Sequence, residues 1–180
     1  MQKDGLVDAY DENAMGVCAD ACALKYNFSR EDQDAYAIQS YTRSSKAWEA
    51  GKFDNEVIPV AVPQRRGEPK MITKDEEFTN VFIDKIPNLR PAFSKDGTVT
   101  AANASTINDG AAALVLMSRE KANELNLKPL AVIKSYADAA HEPEWFTTAP
   151  AKALPKALAK SNLSIEDIEF SLPENVVRIL

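Results

Sequence analysis

The sequence predicts an α/β fold, and three observations carry that prediction. Residues 15–48 hold two stretches in which apolar side chains recur every third or fourth position, the repeat of one helix face. The run Ala-Ala-Ala-Leu-Val-Leu-Met at 111–117 is short, unbroken and apolar, as in a strand covered on both faces. From that run to residue 170, strand-like and helix-like segments alternate, the order that layers a sheet with helices.

The first helix lies in NAMGVCADACALKYNF, where Met15, Cys18, Ala19, Cys22 and Tyr26 share a face. Ser29 opens the second. With Asp32 three positions on it approaches a capping box, and Glu31 to Asp34 place negative charge at the positive end of the helix dipole. Ala37, Ile38, Tyr41, Ser45 and Trp48 form the stripe of that helix until Gly51 stops it. NEVIPVAVP follows as an extended segment, held to an edge or irregular strand by Pro59 and Pro63. Residues 64–90 are polar, charged and aperiodic, a long excursion with room for one short strand.

Residues 98–117, TVTAANASTINDGAAALVLM, begin with small side chains and end with aliphatic ones. Two readings of the small half stand side by side. One is tight packing of a helix on a strand. The other is a ligand wall, where exposed backbone N–H and C=O groups and the Ser105 hydroxyl meet an amide-bearing ligand or a cation held by carbonyl oxygens. Ser118 then caps a short helix in REKANEL, ended by Asn126 and Pro129, and LAVIKSYADAA reads as a second strand. APAKALPKALAKSN is a helix with Pro155 near its start, and SIEDIEF caps and begins a further strand.

The 180 residues suffice for one ordinary domain or two small ones, and 45% hydrophobic with 27% charged residues is a globular balance. A formal net charge of −6 argues against nucleic acid as partner, because phosphate binding needs a basic face. No apolar run approaches the roughly 18–20 residues that span a bilayer, and MQKDGLVDAY has no signal-peptide or transit-peptide character. Cys18 and Cys22 share a helix face, but the sequence offers no further cysteine and a single distant His141; they read as buried, reduced, apolar-like residues. His141 reads as a solvated loop residue. Arg65, Arg66, Lys70 and Lys85 are the one basic cluster, either a phosphate contact or an ordinary solvated loop. No catalytic constellation is present on spacing alone.

GTVTAANASTINDGAAALVLM closely resembles the small-residue signature of the thiolase family, in its acetyl-CoA C-acetyltransferase branch. REDQDAYAIQSYTRSSKAWEAGKFDNEVIPV, MGVCAD, KPLAVIKSYADAAHEP and TAPAKALPKAL are similar to the same branch in order and spacing, so the resemblance covers roughly residues 4–170. It implies an incomplete, layered α/β thiolase fold. Residues 1–90 are expected to form part of the coenzyme-A-binding loop domain, 91–125 the end of the N-terminal domain, and 126–170 the start of the C-terminal domain.

The activity implied is condensation of two acetyl-CoA to acetoacetyl-CoA and coenzyme A, or the reverse thiolysis, with no tightly bound cofactor. Such chemistry needs a thiolate nucleophile and preorganised donors for an enolate. The resemblance puts the nucleophilic Cys before Met1 and the Gly-His-Pro and Gly-rich Cys motifs after Leu180, so these 180 residues are expected to be inactive alone. After Phe170 the text SLPENVVRIL departs from the family's Asn-Glu-Ala-Phe, and residues 171–180 read as the product of a frameshift or a truncated gene. The resemblance carries coenzyme contacts to Tyr41, Val81, Phe82, Lys85 and Ser105, and to Asn80 where some relatives have Arg. Phe146 falls among acyl-pocket positions, and Tyr41 with the carbonyls of Ala101, Ala102 and Ala104 matches the shell of a potassium ion. A homotetrameric parent is implied, and the lack of disulfide logic favours the cytosol over a mitochondrial parent. The competing reading is a stand-alone, non-catalytic coenzyme-A-binding module. Against it stands 111–117, a central strand lacking its neighbours, which predicts exposed apolar surface and aggregation.

Overall fold

A computed structural model describes residues 2–168. The expected divergent tail and the strand expected to begin near Phe170 lie outside those residues. The helices are α1 (Gln2–Gly5), α2 (Met15–Tyr26), α3 (Arg30–Glu49), α4 (Arg119–Glu124) and α5 (Ala149–Ser161), and the strands are β1 (Val60–Val62) and β2 (Lys70–Ile72). The chain divides into two compact units. One is Ala23–Ser105; the other joins the residues up to Cys22 with those from Thr106 onward.

In the Ala23–Ser105 unit, α3 is the organising element. Its start follows from local chemistry: the Ser29 hydroxyl accepts from the Asp32 amide at 3.0 Å, while the Asp32 carboxylate accepts from the Ser29 amide at 3.3 Å. Its end is equally local. Gly51, at φ 64°, donates to Trp48 O, and Lys52 donates to Ala47 O, the paired bonds of a Schellman motif. A Cβ at Gly51 would also stand 2.6 Å from Asp54 Oδ2. α2, α4 and α5 stop instead on Asn27, Asn126 and Asn162, each near φ +55°, the left-handed conformation that Asn tolerates better than other side chains.

The buried face of α3 is more polar than the expected stripe. Arg30, Gln33, Asp34, Ala37 and Tyr41 follow helical spacing, and Asp34 and Ala37 are its fully buried members. These side chains hold two later segments of the unit, the 3-10 turn Ile83–Asn88 and the small-residue loop around residues 98–104. Ile86 and Thr100 are the most deeply buried side chains, at 1% and 0% exposure. The excursion contains β2, which pairs antiparallel with β1 (Val60 opposite Ile72, Val62 opposite Lys70). Both strands of this hairpin are exposed along their length.

In the other unit, Asp8 shapes a tight turn: its carboxylate accepts from the amides of Tyr10 and Asp11, and its own amide donates to Asn13 O. Val7 and Ala14 form an isolated antiparallel bridge. Cys18 and Cys22 are buried free thiols, as their spacing predicts. Burial pushes the Cys18 thiol up, and the carboxylates of Asp8 and Glu144 push it further. The Ser118 hydroxyl caps α4 through the Lys121 amide. Ser164 and Asp167 form the capping box expected of SIEDIEF, but it opens a 3-10 turn, Ile165–Asp167. His141 is half-buried. Its ring contacts Glu142 Oε2 and lies 3.3 Å from Lys152 Nζ, with its side chain 14% exposed.

Neither expected strand of this unit forms among the described residues. At 111–117 every residue is exposed, with Leu114 at 86% and Leu116 at 73%, and no backbone–backbone hydrogen bond joins the run to a described residue. A strand's ladder lies wholly with its neighbours, so an apolar run without one stays single. Residues 135, 137 and 139 are half-buried while 134, 136, 138 and 140 are exposed, the two-residue alternation of an extended chain. That segment lies on α5: Ser135 Oγ donates to Ala157 O at 2.7 Å, and Lys160 Nζ donates to Tyr136 O at 3.0 Å. α5 turns Ala151, Leu154, Ala157, Leu158 and Ser161 inward at helical spacing.

Ile86→Ala is expected to remove about 2–5 kcal/mol of stability, the cost of emptying a filled core position; urea unfolding followed by tyrosine and tryptophan fluorescence measures it, and a loss below 1 kcal/mol would contradict this packing. Cys18 is expected to react with iodoacetamide at neutral pH at least about tenfold more slowly in the native chain than in urea. A mass-spectrometric time course reads this directly, and equal rates would show the thiol to be uncovered and ionisable.

Candidate functional site

The Ala23–Ser105 unit contains an open cavity of about 250 Å³ lined by Tyr41, Glu77, Asn80, Val81, Phe82, Lys85, Ile86, Leu89, Ala101 and Ala102. Three pieces of chain build it. α3 supplies Tyr41. The stretch from Glu77 through the turn Ile83–Asn88 to Leu89 supplies one wall, and the small-residue loop supplies the other.

The first wall is amphipathic. Phe82 is largely exposed, and Lys85 Nζ sits 4.5 Å from the centre of its ring, so an apolar plate and a cation face the same space. Trp48 stacks on Phe78 (6.3 Å between centroids) and packs on Phe53 (5.0 Å), fixing the turn Glu77–Thr79 to the far end of α3.

The second wall is made of backbone. Thr100 Oγ1 accepts from the amides of Ala102 and Asn103 at 3.3 Å, and Ala104 N donates to Thr100 O at 3.0 Å, closing a compact turn. The Tyr41 hydroxyl donates to Ala102 O at 3.1 Å. Burial raises the Tyr41 phenol, and the Glu77 carboxylate adds to the effect, so the hydroxyl stays a neutral donor. Of the two alternatives left open for TAANAST, packing is seen here, and the loop also borders the cavity at Ala101 and Ala102. The loop packs against α3, with the carbonyl of Ala102 held by the Tyr41 hydroxyl.

Of the residues singled out from the sequence, the cavity gathers Tyr41, Asn80, Val81, Phe82, Lys85, Ala101 and Ala102. Ala104, half-buried, and Ser105, exposed, lie next along the loop and are not part of its lining. Phe146 belongs to the other unit, half-buried in the 3-10 turn Pro143–Thr148. Arg65 and Arg66 lie exposed in the hairpin turn and Lys70 opens β2, apart from Lys85 at the cavity. Among the described residues no group of three His, Cys, Asp or Glu side chains could hold a metal. The two polar atoms that meet at Tyr41 and Ala102, a hydroxyl and a carbonyl, are both neutral oxygens.

The sequence reading missed Glu77, Ile86 and Leu89 in the lining and Arg30, Gln33, Asp34 and Asn103 behind it. Gln33 Nε2 donates to Thr98 Oγ1 at 2.8 Å, and Asn103 Nδ2 donates to Asp34 Oδ1 at 3.0 Å and to Thr98 O at 3.1 Å. A signal existed. Arg30, Gln33, Asp34 and Tyr41 share the helix face of Ala37, and a polar stripe at that spacing marks a face that binds backbone.

The thiolase N-terminal domain family matches residues 1–120, and the thiolase C-terminal domain family matches residues 127–174. The mitochondrial acetyl-CoA acetyltransferase of Bos taurus is 55% identical over 168 residues, covering 92% of this chain and 40% of that protein. The acetyl-CoA acetyltransferase of Saccharomyces cerevisiae is 48% identical over 186 residues, covering 100% of this chain and 47% of that protein. In three dimensions the chain resembles the Acat5 thiolase of Ascaris suum in complex with coenzyme A (TM-score 0.86, 49% identity, 93% of this chain and 42% of that one). It resembles the Bacillus anthracis acetyl-CoA acetyltransferase equally (TM-score 0.89, 41% identity, 93% of this chain and 43% of that one). The chain thus spans about two fifths of the length of the relatives it matches, with a partial thiolase fold of mixed helix and strand. Two family matches that run through nearly the whole sequence fix the relationship: this chain belongs to the thiolase family.

Proposed function

We propose that these residues form the coenzyme-A-binding part of an acetyl-CoA C-acetyltransferase, which condenses two acetyl-CoA or cleaves acetoacetyl-CoA with coenzyme A. The observation that carries the reading is the cavity itself, with an apolar plate and a cation on one wall and the small residues Ala101 and Ala102 on the other. A coenzyme A thioester presents matching chemistry: phosphates for Lys85, an adenine face for Phe82, and the amides of the pantetheine arm for the backbone near Ala101 and Ala102. Tyr41, Asn80, Val81, Phe82 and Lys85 are the coenzyme contacts proposed from within the cavity. Ser105 is proposed as a further contact with the pantetheine arm, and Phe146 as part of the acyl pocket. The names of the relatives support the acetyltransferase reading and do not favour a stand-alone binding module.

The domain plan goes with this function: residues 1–90 in a loop domain over the coenzyme, 91–125 closing the N-terminal domain and 126–170 opening the C-terminal one. A potassium ion held by Tyr41 and the carbonyls of Ala101, Ala102 and Ala104 would stiffen the small-residue wall by replacing hydrogen bonds with ion–oxygen contacts. The assembly proposed is a homotetramer. A cytosolic setting is proposed as well; the relatives include mitochondrial and cytosolic forms, and no helix among the described residues is long and apolar enough to cross a membrane.

Isothermal titration with coenzyme A is expected to show binding that weakens as salt rises. Lys85→Glu should weaken it about tenfold or more, the loss of a charge-assisted hydrogen bond. No heat of binding to the wild-type chain would sink the coenzyme reading. Potassium chloride, compared with the same concentration of sodium chloride, is expected to raise the melting temperature, and Tyr41→Phe is expected to erase the difference by removing one oxygen. An equal response to both salts would remove the ion from this proposal.

A further inference from the structure

Arg30, Asp34 and Asn103 do not line the cavity, yet they connect both of its walls. Asp34 is 4% exposed and uses its two carboxylate oxygens in different directions. Oδ2 accepts from Arg30 Nε at 2.7 Å, and Arg30 Nη2 donates onward to the carbonyls of Ile86 (2.9 Å) and Leu89 (3.0 Å), both lining residues of the first wall. Oδ1 accepts from Asn103 Nδ2 at 3.0 Å, and Asn103 Oδ1 accepts from the Thr100 amide at 2.7 Å, which brackets Ala101 and Ala102 of the second wall. Asp34 is thus bonded, through a single intermediary on each side, to both walls of the cavity. The segments it joins lie far from it along the chain, so no local turn chemistry substitutes for these bonds.

We propose that Asp34 is a positioning residue that sets the separation of the two cavity walls, acting through Arg30 on residues 83–89 and through Asn103 on residues 98–104. The proposal deepens the coenzyme reading, and only its ligand measurement rests on that reading. A carboxylate is required for the role. Asparagine at position 34 has one accepting oxygen, so in either orientation its amide N–H faces a donor, Arg30 Nε or Asn103 Nδ2, and one link is lost. Charge matters too: the guanidinium is planar and serves three acceptors at once, which an ammonium on a single stem cannot do.

The test compares wild type, Asp34→Asn, Arg30→Lys and Ser29→Ala by hydrogen exchange resolved to peptides, by melting temperature and by titration with coenzyme A. Ser29→Ala removes the cap of α3 without touching the cavity, so it controls for general destabilisation. Asp34→Asn is expected to speed exchange in whichever of 83–89 and 98–104 loses its link, and to weaken coenzyme A about tenfold. Ser29→Ala should lower the melting temperature yet leave coenzyme affinity within about twofold. Arg30→Lys should loosen 83–89 alone, because Asp34 keeps its bond to Asn103. A folded Asp34→Asn chain with unchanged exchange in both walls, or with wild-type affinity, overturns the proposal. Should Asp34→Asn not fold, Arg30→Lys decides: loosening of both walls or of neither overturns it. If the wild-type chain does not bind coenzyme A, the coenzyme reading falls while the exchange patterns still judge the role of Asp34.

Discussion

Removing a carboxylate from water costs several kcal/mol unless its charge is paired and its lone pairs are used, and the Ala23–Ser105 unit is arranged around meeting that condition for Asp34. Arg30 supplies the charge from one turn earlier on the same helix, and Asn103 supplies the second donor from the far end of the unit. Such an arrangement adds little net stability compared with a well-packed apolar group of equal size. Its effect is specificity, because only one mutual placement of α3, the turn Ile83–Asn88 and the small-residue loop satisfies every donor and acceptor. Buried polar networks suit a binding wall made of backbone. Side chains of Ala and Ser carry too little surface to hold a loop in place by packing, so hydrogen bonds from behind must do it.

What was legible in the sequence is what depends on near neighbours. Ser29 with Asp32, Ser118 before α4, and Gly51 and Asn126 as stops act within one helical turn, and each appears as read. The helix face of Arg30, Gln33 and Asp34 went unread because the search followed apolar periodicity. Their partners are carbonyls and small polar groups 56 to 69 residues away, to which no local pattern points. Long-range pairing also explains the strands. β1 finds β2 after a short turn, whereas the run at 111–117 has the composition of a buried strand and none of its neighbours. Composition records where a segment is suited to lie, and pairing depends on what else is present.

The candidate site itself was legible chiefly through family resemblance. Tyr41 comes from α3 and Asn80, Val81, Phe82 and Lys85 from one stretch much later in the chain, and nothing in their spacing brings the two to one cavity. The physical clue available from residues alone was the stretch of small side chains, and it indicated a close approach without saying of what. The cavity answers half of that question, since α3 approaches from one side while the other side stays open.

The two strand-like runs of the other unit differ in the information they carry. Residues 135–139 alternate between covered and open, so a slip of one position on α5 would turn Tyr136 and Asp138 inward and expose Ser135 and Ala137. Ala-Ala-Ala-Leu-Val-Leu-Met has no such parity. Shifting it by one residue exchanges one aliphatic side chain for another, and either face would suit the same surroundings. The run therefore cannot align itself. Its register has to be imposed from its ends, by Asn108-Asp109-Gly110, residue types that favour turns, on one side and by Ser118, the cap of α4, on the other. A chain that met this segment would read its position from those two flanking punctuation marks and not from the seven apolar residues between them.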